Sequence, residues 1–401
     1  MKLLTLIICL FSYNCYALTL EDALKRLHEN EQVKIAKKET EISNIEVDVL
    51  KSAVLPDVSL NGSYNKYGPG KTLNESDQTS MSVGLVQPLY RGLKEWKAFE
   101  SAKIYSKSQK YLENAKIREL QQELIIKFFN FLIKSKELEL NRELVRLSDE
   151  RLKDISYRVK IGKSKRSDYL SAESLLFNTK ANVERLQKEV DDARILITTL
   201  IPLEKEEVLT APEFKNNISF NESDIENYPT VRALELLRDI AKKKIEISKA
   251  DHQPSVDLKS NYYLHNSNDS TQRDWDAAVV MSFPLYSGGK TSAQVSADEL
   301  RYRRTIYEID RGKKVISETL STLYNEFETG ERRIDLLDKA NKANKVNYEE
   351  YRKEFKLGLV TSLEVLSALT QYIEAKKNFY TTKLSVQSAG FQIKSLAGKN
   401  L

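Results

Sequence analysis

Few residues in this chain are placed for covalent chemistry. Gly289-Lys290-Thr291 has the ending of a phosphate-binding loop, but the first glycine of such a loop would fall on Pro284. Without it the backbone has no cradle, and nucleotide binding is not expected. The histidines His28, His252 and His265 lack metal-ligand spacing. No serine stands in a nucleophile-elbow pattern. Most acids are interspersed with lysine and arginine, as from Glu137 to Arg151, the pattern of a solvated helix face with i,i+4 pairs. No catalytic residue, cofactor or enzyme activity is expected. Nucleic acid is not expected either, because the net charge of +5 includes no basic block interleaved with aromatics. Two acids stand apart. Asp168 and Glu364 each follow a glycine, Gly162 and Gly358, by six residues. As helix-N-terminal carboxylates they would be stabilised by the helix dipole. Gathered by symmetry around a narrow axis, they would form a negative ring that favours cations. The residues alone leave both open.

The elements that must position these acids come from an internal repeat at an offset near 196. Val86-Gln87-Pro88-Leu89-Tyr90-Arg91-Gly92 matches Ser282-Phe283-Pro284-Leu285-Tyr286-Ser287-Gly288, and Lys160-Ile161-Gly162 matches Lys356-Leu357-Gly358. Leu170-Ser171-Ala172 matches Leu366-Ser367-Ala368. Upstream, Pro56, Leu60 and Tyr64 match Pro254, Leu258 and Tyr262 at an offset of 198. A period this long is the duplication of a large unit, not a solenoid of short repeats.

Each unit opens on two segments that alternate with period two. Val58, Leu60, Gly62 and Tyr64 alternate with polar residues, as do Met81, Val83 and Leu85. In the second unit Val256, Leu258, Ser260, Tyr262 and Leu264 form one such set, and Trp275, Ala277, Val279, Met281 and Phe283 another. This puts one set on each face of a sheet, in strands of about ten residues that suit a tilted membrane span. A half-buried soluble sheet alternates in the same way. Hairpins are expected at about 56–90 and 254–286, with polar loops at Lys66–Gln78 and Asn266–Arg273. Four strands cannot close a pore-forming barrel, since small membrane barrels need about eight, so membrane-spanning strands require several copies of the chain.

After each hairpin the pattern turns helical. Leu320, Leu323, Phe327, Gly330, Ile334, Leu337, Asn341, Asn344, Tyr348, Tyr351 and Phe355 form a heptad seam, and the first unit carries the same register in more polar form. A helix from Gly92 to Ile161 would be roughly 105 Å long at 1.5 Å per residue, which requires partner helices. Gly162 and Gly358 read as the tips of antiparallel helical hairpins. At the N-terminus, Lys2 precedes an apolar run from Leu3 to Phe11, and Cys15-Tyr16-Ala17 offers a cleavage site, so residues 1–17 read as a secretory signal. Both cysteines, Cys9 and Cys15, lie within it. The layout is therefore a first repeat at 18–201, a polar, acidic connector at 202–228 and a second repeat at 229–401. The fold class is mainly α with a small β part.

The paired strand-end and tip motifs, in this order and duplicated, resemble the TolC-type outer-membrane efflux and secretion channels. The resemblance covers essentially the whole chain after position 17. It implies a homotrimer whose chains share one twelve-stranded β-barrel in outer-membrane lipid, continued by an α-helical barrel into the periplasm. It implies a passive tunnel working with a periplasmic adaptor protein and an inner-membrane transporter. It implies a periplasmic gate at Asp168 and Glu364. It further implies adaptor docking at Gly162, Lys163, Ser164, Gly358, Leu359 and Val360. Pro88, Tyr90, Gly92, Pro284, Tyr286 and Gly288 mark the strand-to-helix transitions, where each proline can end strand pairing. An exported coiled-coil spacer or adhesin-like stalk is the alternative, and it would need no duplicated amphipathic hairpins.

Overall fold

The computed structural model describes residues 17–66, 78–204, 207–212, 214, 222–266 and 274–398. The expected signal segment, most of both hairpin loops and parts of the connector lie outside these residues.

Two tandem repeats of hairpin plus long helices are present. The first holds α2 (Glu31–Ser52), β2 (Asp57–Asn65), β3 (Gln78–Arg91), α3 (Lys94–Lys160) and α4 (Arg166–Thr198). The second holds α6 (Pro229–Ala250), β5 (Ser255–Asn266), β6 (Trp275–Ser282), α7 (Lys290–Leu357) and α8 (Ser362–Leu396). Short elements complete the chain: β1 (Ala17–Leu18), α1 (Leu20–Arg26), β4 (Val208–Leu209) and α5 (Glu222–Glu226).

Spatially the chain divides across the repeats. One unit takes Ile35–Ala115 and Glu226–Val315, and the other takes Met1–Lys34, Lys116–Ile225 and Ile316–Leu401. The first is the sheet unit. Its four strands run β2-β3-β5-β6, all antiparallel, leaving β2 and β6 as edges. In this unit α6 bonds to two neighbours. Lys94 pairs with Asp251 at 2.6 Å and Lys243 with Glu100 at 2.8 Å, joining it to α3. Ser248 Oγ donates to buried Asp298 Oδ2 at 2.5 Å, joining it to α7. Burial opposes ionisation of Asp298, but hydrogen bonds from Ser248, Gln294 and Arg301 outweigh it and hold the carboxyl below its usual range. The corresponding first-repeat helix, α2, meets α3 through Thr40 Oγ1, which donates to buried Glu113 Oε2 at 2.9 Å.

The other unit is helical. The heptad stripe expected on α7 is buried at Leu320, Leu323, Phe327, Tyr348 and Phe355 and mostly half-buried between, as 3.5-residue spacing toward packed neighbours requires. A Cβ on Gly330 would overlap Val386 of α8, so glycine there permits a close helix crossing. α3 is buried more widely, with Ile125, Phe128, Phe129 and Leu140 in addition to the heptad positions. It packs on several helices: Asn182 Nδ2 of α4 donates to Asn141 Oδ1 at 2.8 Å, Phe129 packs on Phe391 of α8 at 5.8 Å between ring centroids, and the Arg158 guanidinium lies over the Phe355 ring of α7.

The stretch at 202–228 is more than a spacer where it is described. β4 pairs in parallel with β1, Leu209 is buried in the helical unit's core, and Phe214 packs on Phe327 and Phe391. Arg26 clamps Glu207 at 2.6 and 2.9 Å, and that guanidinium holds the Glu207 carboxyl below the usual range.

Candidate channel wall and helical tips

The cross-strand register sorts the sheet's side chains by polarity. Leu60 faces Val83, Val83 faces Tyr262, Leu258 faces Val279, and Tyr262 faces Trp275. Directly opposed residues of an antiparallel pair share a face, so these apolar side chains form one surface. It is bare in the chain: Leu60 is 62% exposed, Trp275 65% and Val279 66%. An open apolar face of this extent marks contact with lipid or another protein. The opposite face is a polar network. Ser63 and Ser80 hydroxyls lie 2.8 Å apart, and Asp276 accepts from Tyr263 Oη at 2.6 Å and Asn261 Nδ2 at 3.0 Å. Gly84 leaves room for Asn61 and Asn261 on either side.

The strand-to-helix transitions differ between repeats. Pro284 lies beyond the end of β6, as expected of a residue that ends pairing. Pro88 does not end its strand. It sits inside β3 opposite Asp257, at a register shift between Pro88 and Tyr90, and β3 continues to Arg91. The bulge leaves its missing N–H unneeded. Tyr90 and Tyr286 are both exposed. Gly92 has φ +65°, and a Cβ there would crowd Ala250 and Gln253 at 2.9–3.0 Å.

The turn is a left-handed pair in each repeat, Gly92-Leu93 and Gly288-Gly289, with φ +60° at Leu93. A left-handed non-glycine residue costs roughly 1–2 kcal/mol, partly offset by the greater unfolded-state freedom of glycine. Leu93→Gly is therefore expected to stabilise the chain by about 0.5–1 kcal/mol, read as a higher unfolding midpoint, while Gly92→Ala lowers it.

Both tips are Schellman motifs. Gly162 N donates to Val159 O at 3.1 Å and Lys163 N to Arg158 O at 2.8 Å. Gly358 N donates to Phe355 O at 3.1 Å and Leu359 N to Glu354 O at 3.0 Å. Gly162 and Gly358 take φ of +74° and +79° in open space, so glycine is needed there for its backbone alone. Lys163 is exposed, Ser164 and Val360 are half-buried, and Leu359 is 71% exposed.

The two tip acids occupy the same place, the third residue of α4 and of α8, but not the same bonds. Glu364 closes a capping box with Thr361, accepting from its amide at 2.6 Å and its hydroxyl at 2.9 Å. The Thr361 amide first, then its hydroxyl, holds the Glu364 carboxyl below its usual range. Its cap is therefore intact at neutral pH and lost on acidification through that lowered value. Thr361-x-x-Glu364 is a capping signature that the sequence displayed and the motif reading passed over. The first repeat has Lys165 at the cap and no side-chain cap bond, and Asp168 accepts instead from Ser164 Oγ at 3.0 Å. Lys163 and Leu359 thus project at the tips while Glu364 is engaged within its own helix.

The strands of an open, two-faced sheet with one apolar face lead into paired long helices. Among the described residues no helix is long and apolar enough to cross a membrane. The pattern of the outer membrane efflux protein family matches residues 24–201 and again residues 222–399, and the chain belongs to that family. TolC of Vibrio cholerae serotype O1 is 21% identical over 370 residues, covering 87% of this chain and 83% of TolC. The alkaline protease secretion protein AprF of Pseudomonas aeruginosa is 21% identical over 353 residues, covering 82% of this chain and 72% of AprF. A crystal structure of CusC shares the fold with a TM-score of 0.86 at 14% identity, covering 95% of this chain and 92% of CusC. The chain is an outer-membrane export channel subunit, and the stalk alternative is set aside.

Proposed function

We propose that three copies of this chain form one passive tunnel that carries cargo from an inner-membrane transporter, through a periplasmic adaptor, to the cell exterior. The two-faced sheet with both edges open carries this reading. Four strands are too few to enclose a pore, and pairing β6 of one copy with β2 of the next removes every edge. The apolar face then meets lipid and the polar face lines water. Catalysis and cofactors have no part, since the tunnel only guides diffusion. Residues 1–17 direct export and are removed.

At the periplasmic end the tips around Gly162-Lys163-Ser164 and Gly358-Leu359-Val360 dock the adaptor, Leu359 supplying an exposed apolar contact. Asp168 and Glu364, each repeated around the axis, set the charge of the constriction. Conductance of the purified channel in planar bilayers tests this. Asp168→Asn with Glu364→Gln is expected to weaken block by divalent cations and raise current at low salt. Unchanged block and current in the double variant remove the acids from the gate, and absence of any conductance from the parent chain overturns the tunnel.

A further inference from the structure

Two helices of the helical unit build a cavity from faces of the same spacing. On α3 these are Leu132, Ser135 and Lys136, and on α8 Tyr380, Lys383 and Leu384. Each set falls at i, i+3 and i+4, which places it on one side of its helix. The cavity measures about 480 Å³, within the range of small-molecule sites, and Pro212 of the connector completes its lining. The connector is held there from both sides. Leu209 is buried in the core, and the Phe214 ring lies 5.1 Å from that of Phe391. Leu132 is part of the same core and Leu384 packs against it. The result is an apolar recess whose walls are fixed by contacts outside it.

The polar groups of the lining are few and favour one sign of charge. Lys136 is already engaged: its ammonium pairs with Glu139 at 2.7 Å and lies 4.6 Å from the centroid of the Tyr380 ring. Lys383 is exposed and has no ion-pair partner among the described residues. One turn on along α8, the Gln387 amide also lines the cavity and makes no hydrogen bond among them. The Ser135 hydroxyl is shut off from solvent without a hydrogen-bond partner, a costly state that an acceptor relieves. Two lysines against one glutamate leave the lining a single positive charge, which attracts a monoanion and repels a cation. We propose that this cavity binds a small amphipathic monoanion. Its apolar body lies among Leu132, Leu384 and Pro212, and its carboxylate accepts from Lys383 and Gln387, with Ser135 in reach by rotation of its side chain. Such a ligand joins α3, α8 and the connector within one chain, so the site goes beyond the export reading and does not depend on the number of copies.

Naphthoate is the probe, because it joins a rigid apolar body to one carboxylate. Equilibrium dialysis against the purified full chain in mild detergent, with detergent alone as the blank, is expected to show saturable binding of one molecule per chain. Lys383→Met keeps the apolar stem and removes the charge. It is expected to weaken binding roughly tenfold, the loss of one hydrogen bond from an ionised group. Gln387→Leu and Ser135→Ala are expected to weaken it by smaller factors. Lys383→Glu reverses the charge of the lining, and is expected to lose naphthoate and take up naphthylmethylammonium, the cation on the same rings. Lys383 lies at the surface, so substitutions there leave the fold intact, which an unchanged far-ultraviolet circular dichroism spectrum checks. Naphthoate uptake by the parent chain no greater than the detergent blank overturns the proposal. So does equal binding of the anion and the cation by the parent chain, undiminished naphthoate binding by Lys383→Met, or a Lys383→Glu chain that still prefers the anion.

Discussion

Phe129→Ala is expected to cost about 3–5 kcal/mol, the range for truncating a fully buried aromatic side chain. Phe129 is 1% exposed, and its ring lies between Phe128 on its own helix and Phe391 on α8. It belongs to a buried cluster of the helical unit, with Leu27, Leu120, Leu124 and Ile197. The cavity left by alanine has rigid helices on its sides and collapses little, which places the cost toward the upper end. Tyr324→Ala is the useful comparison, because Tyr324 on α7 is 41% exposed in the chain. Far-ultraviolet circular dichroism during denaturation of the purified chain reads both. A shift for Phe129→Ala no larger than for Tyr324→Ala contradicts the packing described.

Val279→Arg is expected to block stable insertion into the outer membrane, at a cost of about 2–4 kcal/mol if the residue reaches the middle of the lipid face. Val279 is opposite Leu258 on the bare apolar surface, while Ser63 lies on the polar surface beside Ser80. Ser63→Arg should therefore be tolerated, since it projects into water. Carbonate extraction of membranes compares the two. Equal retention of both variants contradicts the assignment of faces.

Much of this fold was legible because the chain states it twice. The alternation of Leu60, Tyr64, Val83 and Val279 marks the strands, and the observed register puts those residues on one face. Gly162 and Gly358 mark the tips because only a left-handed residue completes a Schellman turn. The α7 stripe was readable because its heptad positions are its buried ones. α3 was less so, since a helix with neighbours on two sides buries two stripes and its periodicity blurs. Pro88 misled for a different reason: a bulge, set by pairing with β5 some 170 residues away in sequence, absorbs the missing amide.

The candidate gate was legible as two equivalent positions, but their bonds were not. The difference between Lys165 and Thr361 at the helix caps decides whether the acid is held in a capping box. The proposed docking at the tips and the proposed ring of acids would depend on copies and partners that a single chain's sequence does not contain.

The mass of the particle extracted from outer membranes in mild detergent tests the central claim most directly. Native mass spectrometry of that particle is predicted to give three copies of the processed chain and no other protein. A particle of one copy, with the sheet's edges β2 and β6 unpaired, would contradict the account.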